Sequence, residues 1–206
     1  MFATRTKLAL IAGVSAAALL AAGCSSNDSD TPKAATTSTT MSMNHGQSTS
    51  MPAARSDFND ADVNFLTMMY PHHAQAVEMA KLVPTRSQNQ QLITLAQAVE
   101  QAQSPEMQQI TTLLQSFGKP TPSGEMNHDM PGIMTKDQMA KLEAASGPEF
   151  DKLWMQMMIQ HHQGAIDMAN TELAQGNNAD SKSLAQSIVT AQQQEITQMN
   201  TMLSQS

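Results

Sequence analysis

A stretch of thirteen residues, MMYPHHAQAVEMA at Met68 to Ala80, returns 89 positions later as MMIQHHQGAIDMA at Met157 to Ala169. Each copy sets a Met pair, a His pair one helical turn further on, then small residues and another Met. A repeat on this scale means that two similar units must pack together, and any fold of the chain has to satisfy that first. The correspondence runs past the motif: Leu95-Ala-Gln-Ala-Val99 stands 89 positions before Leu184-Ala-Gln-Ser-Ile188, and Glu106 stands 89 before Glu195.

The spacing of apolar residues is helical. Phe58, Phe65, His72 and Met79 recur every seven residues, flanked by Ala61, Met68, Met69 and Ala76; in the second copy Trp154, His161 and Met168 recur likewise, flanked by Met157, Met158 and Ala165. Breakers then bound four long helices. The first begins near Asn59, after the capping candidates Ser56 and Asp57, and stops at Pro84. The second runs from about Ser87 to Phe117, with Pro105 expected to kink it or start a new segment, because proline lacks the donor a continuous helix needs. The third starts at Pro148 behind a capping pattern at Ser146 to Glu149 and ends near Gly176; the fourth spans about Asp180 to Leu203. Thr135-Lys-Asp-Gln138 caps a further short helix holding Met139 and Leu142. Two helical hairpins with one apolar face each bury those faces against one another, so the expected fold is all-α, a four-helix bundle over residues 57–206.

The seams of that bundle hold unexpected residues. The second helix reads Leu92, Val99, Glu106 and Leu113 along its seam, and the fourth reads Ile188, Glu195 and Met202. A carboxylate in an apolar seam is costly unless paired or coordinated, which draws Glu106 and Glu195 towards the inward His72 and His161. His73 and His162 follow about 100° round the helix and are expected to flank the seam. Met68 and Met69 lie one turn before His72 and His73, as Met157 and Met158 do before His161 and His162. Glu78 and Asp167 fall on the far side and read as solvated, as do the many Gln residues of the second and fourth helices. Pro71 either opens the backbone beside His72 or is a tolerated kink; Gln160 takes its place in the second copy.

Ahead of the bundle, Arg5 and Lys7 precede an apolar run from Leu8 to Leu20 that ends in Ala21-Ala22-Gly23-Cys24. A basic start, a short apolar core and a small-residue cleavage site describe a secretory signal over residues 1–23, too short to be a spanning helix. The segment resembles a bacterial lipoprotein signal, which implies lipidation of Cys24 and a membrane contact through that anchor alone, on the outer face of the cytoplasmic membrane or another extracytoplasmic surface. Residues 24–56, rich in Ser, Thr, Asn, Asp, Ala and Pro, read as a disordered tether. Loss of Arg5 and Lys7 takes the formal charge from -7 to -9, and no dense basic run offers a footprint for nucleic acid. Once Cys24 is lipidated no thiol remains, so a soft-metal site outside the cell relies on Met and His.

Met is abundant, at 18 residues. In helices it is an ordinary core filler, but in polar segments it has no core to fill. Met41-Ser-Met43-Asn-His45 in the tether, and Met126-Asn-His128-Asp-Met130 with Met134 in the loop between halves, near residues 120–135, therefore point to secondary capture of a soft metal. In the helices, four His, the neighbouring Met residues, Met79 and Met168, and Glu106 and Glu195 recur in one register. Imidazole suits copper, zinc, iron and nickel, whereas thioether sulfur selects Cu(I).

Through MMYPHH, MMIQHHQGAIDMA, and MPGIMT leading into FDKLWMQMM, the segment from about Asp57 to Leu203 resembles the domain-of-unknown-function family 305 (DUF305). The resemblance implies a ferritin-like bundle, exported or lipid-anchored, with some members tied to copper binding and tolerance. By position it points to His72, His73, His161 and His162 with their Met neighbours.

The expected function is an extracytoplasmic lipoprotein, not an enzyme, that binds Cu(I) and buffers it or hands it on. A ferritin-like redox protein with two metals, iron among them, is the runner-up; di-iron bundles usually present Glu-x-x-His on their helices, and this chain has no such spacing in its helices. A metal-free adaptor, in which His–Glu pairs only fix helix register, is the third reading. No Ser/His/Asp signature or phosphate-cradling glycine loop is present. Self-association and a protein that receives the metal both stay open.

Overall fold

The computed structural model describes residues 55–123 and 130–205. Four long helices, α1 (Asp60–Arg86), α2 (Gln90–Ser116), α4 (Gly147–Gln175) and α5 (Ala179–Ser204), are joined by short turns and by a longer link carrying the short α3 (Lys136–Ala144). Helix α1 packs along α2 and α4 along α5; the two hairpins meet where α1 lies on α4, and α3 rests against α4. Cys24, Met41, Met43 and His45, and Met126 and His128, lie outside the described residues.

Asparagine side chains start three of the long helices. Asn59 accepts from the backbone N–H of Ala61 and Asp62 while Asp62 accepts from that of Asn59, a reciprocal box; Asn89 and Asn178 cap α2 and α5 in the same way without the return bond. Each such cap contributes about 1 kcal/mol. The caps of α1 and α4 differ from expectation. Asp57 does not cap α1 but pairs with Arg55 and accepts from Asn178 Nδ2. Ser146 makes no side-chain cap bond, and α4 instead carries Pro148 in its first turn, where the fixed φ of proline suits a helix start. The box predicted at Thr135 and Gln138 is present. Pro105 neither breaks nor restarts α2: the carbonyl it leaves without a donor belongs to Gln101, which is exposed and can be hydrated.

Two apolar clusters fill the bundle. One gathers Met79, Val83, Leu92, Leu95, Val99, Phe150, Trp154, Met155, Met157 and Met158; the other gathers Phe65, Leu66, Met69, Ile110, Leu113, Leu114, Met168, Leu184 and Ile188. On every long helix the change from one cluster to the other falls at polar residues: His72 and His73 on α1, Gln103 on α2, His161 and His162 on α4, Gln192 on α5. The result is a buried polar layer between two oily ends, and apolar packing at both ends fixes the helices that carry it.

Candidate metal centre

All four His side chains are fully buried, at 0% exposure. The expectation that His73 and His162 only flank the seam is corrected here. Helix α1 has α2 on one side and α4 on the other, so two adjacent positions both face a neighbour. His72 meets α4, its ring centroid 3.8 Å from that of His161, while His73 meets α2. His161 and His162 divide in the same way between α1 and α5.

The carboxylates are also placed differently. Glu106 Oε2 lies 2.7 Å from His73 Nε2, and Glu195 Oε2 lies 2.6 Å from His162 Nε2. Both Glu side chains keep some solvent contact, at 18% and 15% exposure, so they stand behind the outer His of each pair and do not share an interior with His72 and His161. A carboxylate oxygen accepts, so Nε2 of each ring carries the N–H, and in a neutral imidazole Nδ1 is then the lone pair. His72 reaches the same state by another route: its Nε2 lies 3.0 Å from the Pro131 carbonyl oxygen, which can only accept.

What remains is a set of five buried ring nitrogens without a hydrogen-bond partner: Nδ1 of His72, His73 and His162, and both nitrogens of His161. The backbone carbonyl of His72 raises the His161 pKa slightly without meeting hydrogen-bond geometry. Burial, followed by the neighbouring His73, brings His72 down to about 3 in spite of the Pro131 carbonyl, with His162 adding to the drop. His161 is held well below the usual imidazole range by burial first and then by His72, His162 and His73. Both rings are therefore neutral at pH 7, the form in which imidazole binds a metal. A buried polar group without a partner costs about 1–3 kcal/mol, so five in one layer are heavy against a total stability of about 5–15 kcal/mol. The nitrogens carry a donor set that matches imidazole-binding metals, with carboxylates and a carbonyl on the far nitrogens as at many metal sites.

Among the described residues no three His, Cys, Asp or Glu side chains are grouped so as to hold a metal ion by themselves. Across the two hairpins His72 and His161 stand ring against ring, centroids 3.8 Å apart, and a small set of imidazole donors fits an ion of low coordination number such as Cu(I). Met69 and Met158, both 0% exposed, lie one turn before His73 and His162. Met79 and Met157 are enclosed with Trp154, whose Nε1 donates to the Met79 carbonyl at 2.9 Å. Met68 is half-buried and Met168 is buried, both beside the other cluster.

The loop before α3 corrects a further expectation, that Met130 and Met134 lack a packing role. Met130, Ile133 and Met134 are buried, and residues 130–134 form a strap over α1 and α4. Gln75 Nε2 donates to the Met134 carbonyl at 2.9 Å and Gln75 Oε1 accepts from the Met134 N–H at 2.7 Å. The strap lies so close that a Cβ on Gly132, whose φ is +76°, would sit 2.7 Å from the Gln160 carbonyl oxygen and 2.9 Å from that of His161. A Cβ on Gly164 would overlap the Pro131 carbonyl and come within 2.7 Å of Gly132 Cα. Gly164 of the repeated motif thus keeps room for the strap that meets His72.

Gln75, Gln103 and Gln192 were not legible as interior residues. Gln103 and Gln192 are each 3% exposed, with a buried Oε1 that has no donor. Their signal was present, since they stand 89 positions apart and each lies one turn before a seam Glu. Glu78 and Asp167 are exposed, as expected.

The family model for a domain of unknown function, DUF305, matches residues 62–203. A DUF305 protein from Streptomyces coelicolor is similar in structure, with a TM-score of 0.65 and 30% identity over 70% of this chain and 93% of that one. A DUF305 fragment from Deinococcus radiodurans is similar with a TM-score of 0.67 and 28% identity over 72% of this chain and 98% of that one. CopM, solved in a Cu(I)-bound form, is similar with a TM-score of 0.60 and 28% identity over 70% of this chain and 96% of that one. No curated protein matches the chain.

Proposed function

We propose, from the premise that this chain belongs to the DUF305 family, that it is an exported copper-binding protein that buffers Cu(I) or hands it on outside the cytoplasmic membrane, without catalysing a reaction. The observation that carries the reading is the layer of five unpartnered imidazole nitrogens of His72, His73, His161 and His162, two of whose rings, His72 and His161, burial keeps neutral. Copper at family level is supported by CopM, whose Cu(I)-bound and Cu(II)-bound forms are both similar to this chain. Export is supported by the Streptomyces coelicolor relative, which is described as a secreted protein, and by the signal-like segment ending at Cys24. Lipidation of Cys24 belongs to the same proposal and would be read as a mass shift on that residue. No helix among the described residues is long and apolar enough to cross a membrane.

In this reading His73 and His162 are oriented by Glu106 and Glu195, and His72 by the strap carbonyl, so that each presents Nδ1. His161 offers either nitrogen. The ion supplies a soft Lewis acid that accepts these lone pairs, and neutral imidazoles next to thioethers favour Cu(I).

The test is competition for Cu(I) against a chromophoric chelator, comparing the wild-type chain with a variant in which His72, His73, His161 and His162 are all Ala. Loss of bound copper is expected. A ligand that binds only the native state raises its stability, so Cu(I) should also raise the melting temperature of the wild type. Unchanged stoichiometry would move the site to the Met-rich segments, and an unchanged melting temperature with no binding would leave the His–Glu pairs as links between helices.

A further inference from the structure

A cavity of about 240 Å³ opens on the other side of the strap, between α1 and α4, lined by Phe65, Met68, Pro131, Met168 and Glu172 among others. Pro131 is the shared wall, since its carbonyl accepts from His72 Nε2. Glu172 is 1% exposed, and neither of its carboxyl oxygens has a hydrogen-bond donor. Its neighbour Asp62 takes the backbone N–H groups of Asn59, Asn177 and Asn178 at 2.6–3.1 Å and accepts the acid hydrogen of Glu172, which is the member of the pair that keeps a proton. Two thioethers and a buried carboxyl that no N–H group satisfies therefore border one accessible space.

The other half of the repeat shows what this end would be without a site. Met157, Met79 and Val83 stand 89 positions from Met68, Met168 and Glu172. There the two Met residues and Val83, at 5%, 0% and 0% exposure, are sealed in the core around Trp154. The same sequence frame is closed and oily at one end of the bundle, and open and acidic at the other.

We infer that Met68, Met168 and Glu172 form a separate receiving site for a soft monovalent cation, Cu(I) or Ag(I), at the mouth of the bundle beside the strap. The inference rests on the copper reading for its choice of ion, but its ligands are distinct from the four imidazoles. Thioether sulfur selects the soft ion, and the Glu172 carboxyl, which gives up its proton as the cation binds, supplies charge that two neutral sulfurs lack. Pro131 borders this cavity and its carbonyl accepts from His72 Nε2, so the two sites share a wall.

The test uses the full chain carrying Cys24→Ser, so that no thiol competes, labelled at the Met methyl carbons and at the imidazole nitrogens and titrated with silver nitrate. Met68→Leu and Met168→Leu, made singly, assign the two methyl resonances. The Met68 and Met168 methyls are expected to move together as Ag(I) is added, while those of Met79 and Met157 stay in place. Glu172→Gln should push the midpoint of that movement to several-fold higher Ag(I). Movement of the two methyls without any imidazole change would uphold this site and remove the four-His reading; imidazole changes with both methyls still would do the reverse. If Glu172→Gln leaves the midpoint where it was, the carboxylate is not part of the site and the inference falls.

Discussion

Removing the carboxylates behind His73 and His162 perturbs the proposed centre without touching any nitrogen that faces it. Each Glu oxygen lies 2.6–2.7 Å from an Nε2 and so fixes the tautomer that frees Nδ1. In Glu106→Ala the Nε2–H of a fully buried ring loses its acceptor, which costs about 1–3 kcal/mol of stability. Loss of such a supporting partner also lowers metal affinity by about 10–100-fold. Glu106→Gln keeps an acceptor oxygen and loses only its charge. Replacing a charge-assisted bond of about 1.5–3 kcal/mol by a neutral one of about 0.5–1.5 kcal/mol leaves a deficit near 1 kcal/mol, or roughly fivefold in affinity.

The double variant Glu106→Ala with Glu195→Ala then tells whether the halves act together. On one shared ion the losses multiply to about 10²–10⁴-fold, because both supports bear on the same bound state; on separate ions each affinity falls by its own factor and no further. The assay is chelator competition for Cu(I) under reducing conditions, with the melting temperature of the metal-free protein measured beside it. If the Ala variants lose stability yet bind Cu(I) within about threefold of wild type, the carboxylates serve the fold alone, and the Nδ1 lone pairs are not what holds the metal.

Gly164→Ala puts a methyl group into the Pro131 carbonyl, so the strap must lift; its two bonds to Gln75, worth about 1 kcal/mol each, and the His72 contact are expected to be lost, read as a lower melting temperature and faster hydrogen exchange at Met134. Gln103→Leu and Gln192→Leu each replace an amide oxygen that has no donor with an apolar group of similar size, so metal-free protein should melt a few degrees higher for about 1 kcal/mol gained; a lower melting temperature would mean that these amides hold the layer together. His72 and His161 have depressed pKa values, His72 at about 3, so the unfolded chain binds more protons than the native one below the ordinary imidazole pKa of about 6.5, and stability falls as pH drops from there towards 3. Glu172, raised to about 8 by burial first and then by Asp62, acts with the opposite sign: the native state holds the extra proton, and stability falls as pH rises from about 4.5 to 8. Two groups against one place the stability maximum of the metal-free protein near pH 6.5, and Glu172→Gln should flatten its alkaline side.

The bundle was legible because its evidence is periodic. Phe65, His72 and Met79 repeat at a helical spacing, and the interval of 89 residues ties the two hairpins to one plan. The division of each His pair was not, because a single seam assumes one neighbour per helix, whereas α1 is buried against both α2 and α4. The same assumption drew Glu106 and Glu195 inwards to the wrong His and left Gln103 and Gln192 on the surface. The strap was missed for another reason. Met130 and Met134 sit among polar residues, and burial of such a loop depends on the absence of a side chain at Gly132 and Gly164, two positions that periodicity does not read. Glu172 lies in register with Val83, and only packing shows that one is sealed while the other borders a cavity.

The halves repeat the imidazole–carboxylate unit but not its cover, and this makes the four histidines unequal. The strap satisfies His72 through Pro131, and the carboxylates satisfy His73 and His162, while His161 has no partner for either nitrogen. In the metal-free protein His161 is thus a buried polar ring that gains nothing from its polarity, and the desolvation of unpaired groups costs about 1–3 kcal/mol. His161→Leu, close in volume and without polar atoms, should stabilise the metal-free protein by about that amount, some 2–10 °C in melting temperature at this size. The same substitution removes the donor least engaged elsewhere and should weaken Cu(I) binding more than the corresponding change at His72. A residue kept for packing or register would lower both stability and binding, and one kept for nothing would leave binding alone; opposite signs in the two measurements follow only if the fold carries His161 for the metal. A fall in melting temperature with unchanged Cu(I) affinity would end that argument.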